Sequence, residues 1–428
     1  MREDFLYYLW GFQKFANTEL RTASGEELRI EHTGYRNELS GPDFFNARLE
    51  IAGQLWAGNV EMHLKSSHWY EHFHEQDSAY DNVILHVVWE HDCDVFRKDQ
   101  SIIPVLELKN LVVPEILENY ANLLERPHRF INCENDFSGF SDFEVEHWLE
   151  RVYFERLEDH SAGIERNLRK QSGNWDAVFF QYLLKAFGLN VNGEAFQSIA
   201  SQVPFTTIRK FAANQHDLES FLLGMSGLLE NPKDCYAESL QQRFEFLKHK
   251  FQFSEETIQK PVFFRLRPDN FPTIRLAQIA ALYSENTQLF SGVLKAEGLP
   301  EYYELLDLSL PEYWQQHYSF GTSHRSKNKK LSRDFKNLLV LNLFLPFQFA
   351  WSKYRGEEQA DLILSILAQL PKEKNSIVEN FENLRPGTVK NSAHSQAVIQ
   401  LKKHYCEQNR CLKCVLGNKL LMRSREYH

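Results

Sequence analysis

The chain has 428 residues and a formal net charge of −10, and its composition is 43% hydrophobic and 14% aromatic. So many apolar residues can fill sizeable cores, which excludes global disorder. The negative charge excludes a protein coated in basic surface, although it is compatible with a local basic groove. The length predicts two or three domains.

The sequence shows no targeting or membrane-spanning pattern. The first ten residues are acidic and lack the basic and then apolar layout of a signal peptide. The longest apolar run, Leu338 to Trp351, contains a proline and two amides and is too short to cross a bilayer. Six cysteines in so long a chain do not form a disulfide framework. We therefore expect a soluble, cytoplasmic protein with no membrane partner, while its oligomeric state is not predicted.

The N-terminal part of the chain predicts a mixed α/β domain. A helical stripe of apolar residues comes first, and alternating or wholly apolar runs that are typical of strands follow it. A histidine-rich connector, Ser66 to Tyr80, has the length of a short helix. The expected elements are a helix at Arg2–Phe15 and strands at Glu27–Tyr35, Phe44–Ile51, Val60–Lys65, Val83–Glu90 and Ile102–Leu108.

From about Val113 the hydrophobic period changes to that of helices, and it stays so to the end of the chain. Asparagine and glycine residues separate the helical segments. We expect an α/β domain at residues 1–112, a helical domain at 113–310 and a helical C-terminal region with a cysteine-rich tail at 311–428. No internal repeat or low-complexity tract is visible.

The second and third predicted strands suggest a metal site. Ala52, Gly53 and Gln54 supply the turn of a hairpin, so residues whose numbers sum to about 105 should pair. Asp43 then lies beside Met62, with a one-residue shift if Gly58 introduces a bulge.

The charged residues of this hairpin have the types that a divalent ion requires. Glu61, His63 and Lys65 share one face of the strand. Asp43 and Glu61 would offer carboxylates to Mg²⁺ or Mn²⁺, while Lys65 or His63 would assist an attacking water. The alternative is an ordinary charged strand face.

A resemblance to a known superfamily supports the hypothesis of a metal site. Pro42 and Asp43, followed by Glu61, His63 and Lys65 in the pattern E-x-H-x-K, resemble the PD-(D/E)XK nuclease superfamily. The resemblance implies a restriction-endonuclease-like core, with Asp43 and Glu61 as the acidic ligands of Mg²⁺ for phosphodiester hydrolysis. It departs from the superfamily at His63, which stands where a lysine is usual, while Lys65 lies two residues further on.

Nearly the whole chain also resembles an uncharacterised bacterial family, the domain of unknown function numbered 2851. The resemblance implies no chemistry. The matching stretches are GPDF at 41–44, GNVEMHLKSSHW at 58–69, H-x-H-x-x-D at 72–77, YDNVILHVV at 80–88 and the cysteine-rich tail.

Histidines provide a second signal, because six of the seventeen fall between His63 and His91. Neutral imidazole suits Zn, Mn or Fe better than Mg²⁺. His72 and His74 are therefore candidate ligands of a transition metal. His86, in an apolar strand, is more simply a core residue, and His68 and His91 suit surface or supporting positions.

The tail HYCEQNRCLKC offers His404, Cys406, Cys411 and Cys414 as metal ligands. These residues could hold one zinc ion. The Cys-x₄-Cys-x₂-Cys spacing also occurs in iron–sulfur proteins, in which a remote cysteine completes the set. Cys93, Cys133 and Cys235 are the candidates for that fourth ligand. Reduced thiols packing a terminal helix are the alternative.

Basic residues suggest where a nucleic acid would bind, although a solvated loop or helix face is the favoured explanation. Arg265, Arg267 and Arg275 surround a proline-rich turn and could bind phosphate. Lys329 and Lys330 belong to the densest basic run of the chain.

The sequence thus favours a metal-dependent phosphodiesterase that acts on DNA or RNA. One alternative is a non-catalytic nucleic-acid- or protein-binding module on a nuclease-like core. The other is a Zn- or Mn-dependent hydrolase of a small substrate.

Overall fold

The computed structural model describes residues 1–16, 19–124, 130–253 and 259–423. The chain divides into two compact units. Unit 1 contains residues 1–148, 380–386 and 399–428, and unit 2 contains residues 149–379 and 387–398. The boundaries at residues 112 and 310 stay predictions, but the segment from Ile399 onward belongs to the same compact unit as the N-terminal strands.

Unit 1 contains a six-stranded mixed sheet, and unit 2 contains a small two-stranded one. The strands are β1 (Leu28–His32), β2 (Tyr35–Arg36), β3 (Phe44–Ile51), β4 (Gln54–Lys65), β5 (Val83–Glu90), β6 (Val105–Glu107), β7 (His317–Ser319) and β8 (Thr322–Ser323).

The helices outnumber the strands in the described residues. They are α1 (Glu3–Gly11), α2 (His68–Glu71), α3 (Pro114–Leu124), α4 (Asp142–Lys170), α5 (Trp175–Ala200), α6 (Phe205–Ala212), α7 (Gln215–Met225), α8 (Cys235–Phe251), α9 (Pro272–Glu285), α10 (Leu289–Lys295), α11 (Leu299–Leu305), α12 (Glu312–Gln316), α13 (Arg333–Leu339), α14 (Leu345–Arg355), α15 (Ala360–Gln369), α16 (Ser376–Leu384), α17 (Ser392–Leu401) and α18 (Val415–Leu421). Two π-helical turns lie at Val340–Phe344 and Lys402–Cys406. A mixed sheet followed by a large helical region confirms the coarse fold class.

The order of the large sheet is β1-β3-β4-β5-β6, and β2 also pairs with β3. The β1–β3 and β3–β4 pairs are antiparallel, whereas β4–β5 and β5–β6 are parallel. A tight turn joins the antiparallel strands β3 and β4, while the parallel step from β4 to β5 needs the longer connector that contains α2. Strand β5 is buried over its first six residues, as its central position requires.

The hairpin register matches the sequence-based pairing. Ala47 lies opposite Gly58 and Ile51 opposite Gln54, while Phe44 lies opposite Val60 after a one-residue shift. The extra residue is on β3, where Asn46 adopts a left-handed φ of 58°. The bulge therefore lies next to the Ala47–Gly58 pair, and its extra residue is on β3 and not on β4, the strand of Gly58.

Gly58 allows β4 and β5 to approach closely just before the residues of the candidate site. A Cβ at this position would lie 2.5 Å from Ile84 Cγ2 and 2.7 Å from the Asn82 carbonyl oxygen. We expect Gly58→Ala to lower the free energy of unfolding by about 1–3 kcal/mol, because the two strands must separate. Chemical denaturation measures this loss, and Gly139→Ala is the control because a Cβ there meets open space. Equal stability of the two variants would contradict the packing argument.

Unit 2 buries one carboxyl group completely. Glu219 on α7 accepts hydrogen bonds at Oε1 from Tyr236 Oη (2.9 Å) and Trp314 Nε1 (2.6 Å), while its Oε2 is buried with no hydrogen-bond partner. Burial raises the pKa of Glu219 from 4.5 to about 7, although both hydrogen bonds lower it. The folded protein therefore favours the protonated acid more than the unfolded chain does.

The raised pKa of Glu219 predicts a stability that depends on pH. Its contribution is complete below pH 4.5, falls as the pH rises towards 7 and is then lost. Glu219→Gln keeps an acceptor for both donors and removes the ionisation. We expect the variant to gain stability over the native chain, on the order of 3 kcal/mol, between pH 4.5 and pH 8. Denaturation at the two pH values measures the gain, with Glu304→Gln at an exposed position as the control. A parallel pH profile for Glu219→Gln and the native chain would disprove the assignment.

In the described part of the chain, no helix combines the length and apolarity needed to cross a membrane. All six cysteines are free thiols.

Candidate functional site

Three histidines converge at one end of the large sheet. His63 lies on β4, His72 follows the last residue of α2, and His74 begins a single 3₁₀ turn. One ring nitrogen from each lies within 4.8 Å of the other two, and among the described residues this is the one group of three or more potential ligands so placed. The connector between β4 and β5 thus brings His72 and His74 close to His63 on β4.

The backbone between the two connector histidines is strained. Phe73 has φ 58° and ψ 33°, in the left-handed region, and its side chain is 61% exposed. A bulky residue rarely adopts this conformation, and such strain persists only where the surrounding structure enforces it. Here the reversal at Phe73 directs His72 and His74 to the same point.

Glu61 adds a carboxylate to the three imidazoles. Its Oε1 lies 3.3 Å from His74 Nε2 and 3.7 Å from His63 Nε2, and the residue is only 5% exposed. His74 Nε2 is buried and makes no hydrogen bond of acceptable geometry. We call Glu61, His63, His72 and His74 the histidine site.

A buried hydrogen-bond chain orients the central imidazole. His63 Nδ1 lies 2.8 Å from His86 Nε2, and His63 Nε2 lies 3.0 Å from His72 Nδ1. If His63 Nδ1 donates its proton to His86, its Nε2 has the lone pair that a metal needs. His86 is fully buried on β5, so it acts as a positioning residue behind the site.

Aromatic rings enclose His74. The Tyr80 ring stacks on its imidazole with centroids 3.8 Å apart and 20° between the planes. Trp69 packs edge-on against the same imidazole at 5.3 Å, and it also contacts His86 at 5.6 Å. These rings fix the imidazole and exclude water from its faces.

Asp43 lies directly beside Glu61, as the hairpin register predicts. The Asp43 backbone N–H donates to Glu61 Oε2 (3.0 Å), and Asp43 Oδ2 accepts from the Met62 N–H (3.1 Å). Arg36 donates to Asp43 Oδ1 at 2.7 Å and stacks 3.7 Å above the ring of Tyr7. Both Asp43 oxygens therefore already have partners, whereas Glu61 keeps Oε1 directed at the imidazoles.

The electrostatics of the site favour neutral groups. Burial, with the nearby charge of Glu61, raises the pKa of Asp43 to about 7 despite Arg36, and burial raises that of Glu61 to about 8. Burial and the neighbouring imidazoles lower the pKa of His63 to about 2 and that of His86 to about 3. Neutral imidazoles are the form that binds metals, and a cation would offset the cost of ionising the carboxyl groups.

Lys65 and His68 lie at the margin of the site. Lys65 is exposed at the end of β4, where it pairs in register with Glu90. The His68 ring lies 6.1 Å from that of His63 and 6.2 Å from that of His72. His91 binds Ser66 Oγ at 2.8 Å and so has a supporting structural contact.

The cysteine-rich tail lies in unit 1 but forms a separate group. Cys406 ends a π-helical turn, Cys411 begins a 3₁₀ turn and Cys414 precedes α18. All three thiols are wholly or partly buried, whereas His404 is exposed. Burial, together with negative charge on these three cysteines, raises the pKa of Cys133.

Two of the basic residues considered for nucleic-acid binding are enclosed in unit 2. Arg275 is 6% exposed, donates to Gln278 and Asn270, and stacks 3.6 Å from the Phe335 ring. Lys329 is 4% exposed and donates to the carbonyl groups of Trp314 and His317. A phosphate contact requires an accessible cation, so these two assignments are corrected to structural roles.

The other three basic residues are exposed. They are Arg265, Arg267 and Lys330, and Lys330 lies 3.3 Å from Asp307. A nucleic-acid contact by these residues stays a prediction.

The chemistry of the donors decides which metals the histidine site suits. A set of three imidazoles and one carboxylate resembles the His₃ and His₂Glu sets of catalytic zinc sites more than the oxygen shells of Mg²⁺. Zn²⁺ or Mn²⁺ fits these residues, and the unpartnered His74 nitrogen supports the assignment.

The family is shown by comparison. A model described as "Protein of unknown function (DUF2851)" matches residues 3–376, so the chain belongs to this family. The match ends at residue 376, before the cysteine-rich tail. The resemblance of the tail to this family therefore stays a prediction. No curated protein and no solved structure matches the chain.

Sequence reasoning did not assign several residues to the site. Arg36 lies outside the matching stretches and Tyr80 begins the stretch at 80–88, but neither residue type is distinctive at its position. His86 lies in an apolar strand, so only the pairing of β4 with β5 reveals its contact with His63.

Proposed function

We propose that the chain is a metal-dependent hydrolase of phosphodiester bonds, built around the histidine site. The observation that supports it most is the convergence of three imidazole nitrogens within 4.8 Å, with Glu61 Oε1 3.3 Å from one of them. Zn²⁺ or Mn²⁺ is the proposed cofactor in place of Mg²⁺. Bound there, the metal would lower the pKa of a coordinated water and polarise a phosphoryl oxygen.

In this proposal, some residues of the site coordinate the metal and others position the ligands. His63, His72 and His74 supply neutral nitrogen ligands, and Glu61 supplies Oε1 because its Oε2 is held by the Asp43 N–H. Asp43, fixed by Arg36, acts as a positioning residue in this proposal.

The substrate class depends on the resemblance. The order of helix, strands, connector and strand, together with the spacing from Asp43 to Lys65, resembles that of a nuclease-like core. Lys65, exposed two residues beyond His63, is placed to attract a phosphate approaching the site. Nucleic acid is therefore the proposed substrate.

A cleavage panel tests the proposal. The full chain is stripped of metal, loaded with Zn²⁺, Mn²⁺ or Mg²⁺, and incubated with labelled single- and double-stranded DNA and RNA and with bis(p-nitrophenyl) phosphate. We expect hydrolysis with Zn²⁺ or Mn²⁺ that is lost in Glu61→Gln. His147→Asn is the matched control, because His147 is an exposed histidine on α4 within unit 1.

The other outcomes identify the alternatives. Nucleic-acid binding without cleavage would favour a non-catalytic module. Hydrolysis of small carboxylic esters or amides without any phosphodiester cleavage would favour a small-substrate hydrolase. Activity that survives Glu61→Gln would place the chemistry elsewhere in the chain.

A further inference from the structure

A second group of metal-ligating side chains lies in unit 1, apart from the histidine site. It unites a cysteine that follows α3 with the three cysteines of the tail, which are more than 270 residues further along the chain. We call it the four-cysteine set: Cys133, Cys406, Cys411 and Cys414. All four are reduced thiols.

Direct contacts join the two chain segments. Asn132 Nδ2 donates to Cys411 Sγ at 3.3 Å and to Asn409 Oδ1 at 2.9 Å. Cys411 belongs to the apolar core of unit 1, and Cys133 packs against the same core. The tail is thus held against the segment that contains Cys133.

In each pair of the four thiols, negative charge on one thiol raises the pKa of the other. Burial is the main cause of the raised pKa of Cys133 and of Cys406. Negative charge on any of the three tail cysteines raises the pKa of Cys133 further, and charge on Cys411 or Cys414 raises that of Cys406 further. Burial and Cys411 raise the pKa of Cys414 to about 11. Four acidic groups buried together repel one another once ionised, and bound cations relieve that repulsion.

Donors around the set suit thiolate sulfur. The backbone N–H groups of Gly417 and Leu416 act on Cys414 as hydrogen-bond donors and lower its pKa. Hydrogen bonds to sulfur stabilise metal-bound thiolates and tune iron–sulfur centres.

The spacing of the thiols distinguishes between metals. With Zn–S bonds of 2.3 Å, the sulfur atoms of a tetrahedral zinc site lie about 3.8 Å apart. Within the described ranges, no three of these sulfurs lie within 4.8 Å of one another, because the histidines form the one such group. An iron–sulfur cluster distributes its four thiolates over two or more iron atoms, so its sulfurs are spread more widely.

We propose that the four-cysteine set binds an iron–sulfur cluster. The Cys-x₄-Cys-x₂-Cys spacing of the tail is one that iron–sulfur proteins use, with a remote cysteine as the fourth ligand. Cys133 is that residue, whereas Cys93 and Cys235 are not, and exposed His404 is not a ligand. On binding, each thiol loses its proton to solvent and the thiolate coordinates iron.

Anaerobic reconstitution of the full chain tests the proposal. The protein is incubated with ferrous and ferric iron and sulfide, desalted, and analysed for iron, acid-labile sulfide and visible absorption. Electron paramagnetic resonance after reduction distinguishes a two-iron from a four-iron cluster. We expect bound iron and sulfide in the native chain, loss of both in Cys133→Ser and Cys414→Ser, and no change in Cys93→Ser, Cys235→Ser or His404→Ala.

Two results would overturn the proposal, and the first needs no variant. Folded native protein that retains zinc but no labile sulfide after reconstitution would contradict it, as would full cluster content in Cys133→Ser. Circular dichroism shows whether each variant is folded. Because sulfide is measured directly, failure here is distinguishable from failure of the histidine site, which binds no sulfide.

Discussion

Replacing His74 with asparagine should remove most of the stabilisation that a bound metal gives to unit 1. His74 Nε2 is buried and lacks a hydrogen bond, and the side chain is 11% exposed, so the change removes a ligand without cutting the buried His63–His86 pair. Loss of an outer-shell partner alone costs 10- to 100-fold in metal affinity. We expect the loss of a direct ligand to cost at least about 100-fold.

Metal titration followed by denaturation measures the effect. At a Zn²⁺ or Mn²⁺ concentration 100 times the native dissociation constant, the native chain should gain about 2.7 kcal/mol of stability. A variant that binds 100-fold more weakly should gain only about 0.4 kcal/mol. His147→Asn should behave as the native chain does. An undiminished gain in His74→Asn would remove this residue from the ligand set.

The second large effect concerns the C-terminal helix. Leu421 on α18 is completely buried in the core of unit 1, and α18 packs against α3. Leu421→Asp would place a charge in that core, which we expect to cost at least about 4 kcal/mol of unfolding free energy. Unit 1 should then lose its cooperative unfolding transition.

The adjacent residue gives a matched control. Met422 is 43% exposed, so Met422→Asp should change the stability by no more than about 0.5 kcal/mol. Hydrogen exchange reports the two units separately, and in Leu421→Asp we expect protection to fall in β4 and β5 before it falls in α7 and α9. Uniform protection in both variants would show that α18 does not support the sheet.

Local periodicity was enough to predict much of unit 1. The strand predicted at Phe44–Ile51 and that at Val83–Glu90 have these same bounds in the structure, because each run is apolar in the pattern its position requires. The pairing of Asp43 with the Glu61 strand followed from the turn at Gly53 and the period of two.

Other features depend on contacts that no local pattern contains. The strand predicted at Ile102–Leu108 shortens to Val105–Glu107, because only that part pairs with β5. The histidine site required the unusual conformation of Phe73, and the proposed four-cysteine set required the return of the chain to unit 1. Long-range placement of this kind is decided by tertiary packing.

The burial of Arg275 and Lys329 shows that the sequence also does not reveal which charged side chains are exposed to solvent. A run of basic residues indicates a polar surface on average, yet these two cations satisfy backbone carbonyls and side-chain amides inside unit 2. Composition identifies the cations, but only the fold decides which of them reach solvent.

The discontinuous composition of unit 1 bears on its synthesis. Residues 399–423 complete a core that begins with α1, and the ribosome makes all of residues 149–379 in the interval. At roughly 5–20 residues per second, the nascent sheet waits for tens of seconds with part of its apolar face uncovered. Protection by a holding chaperone during translation would therefore matter more for the first 148 residues of this protein than for the helical segment that follows them.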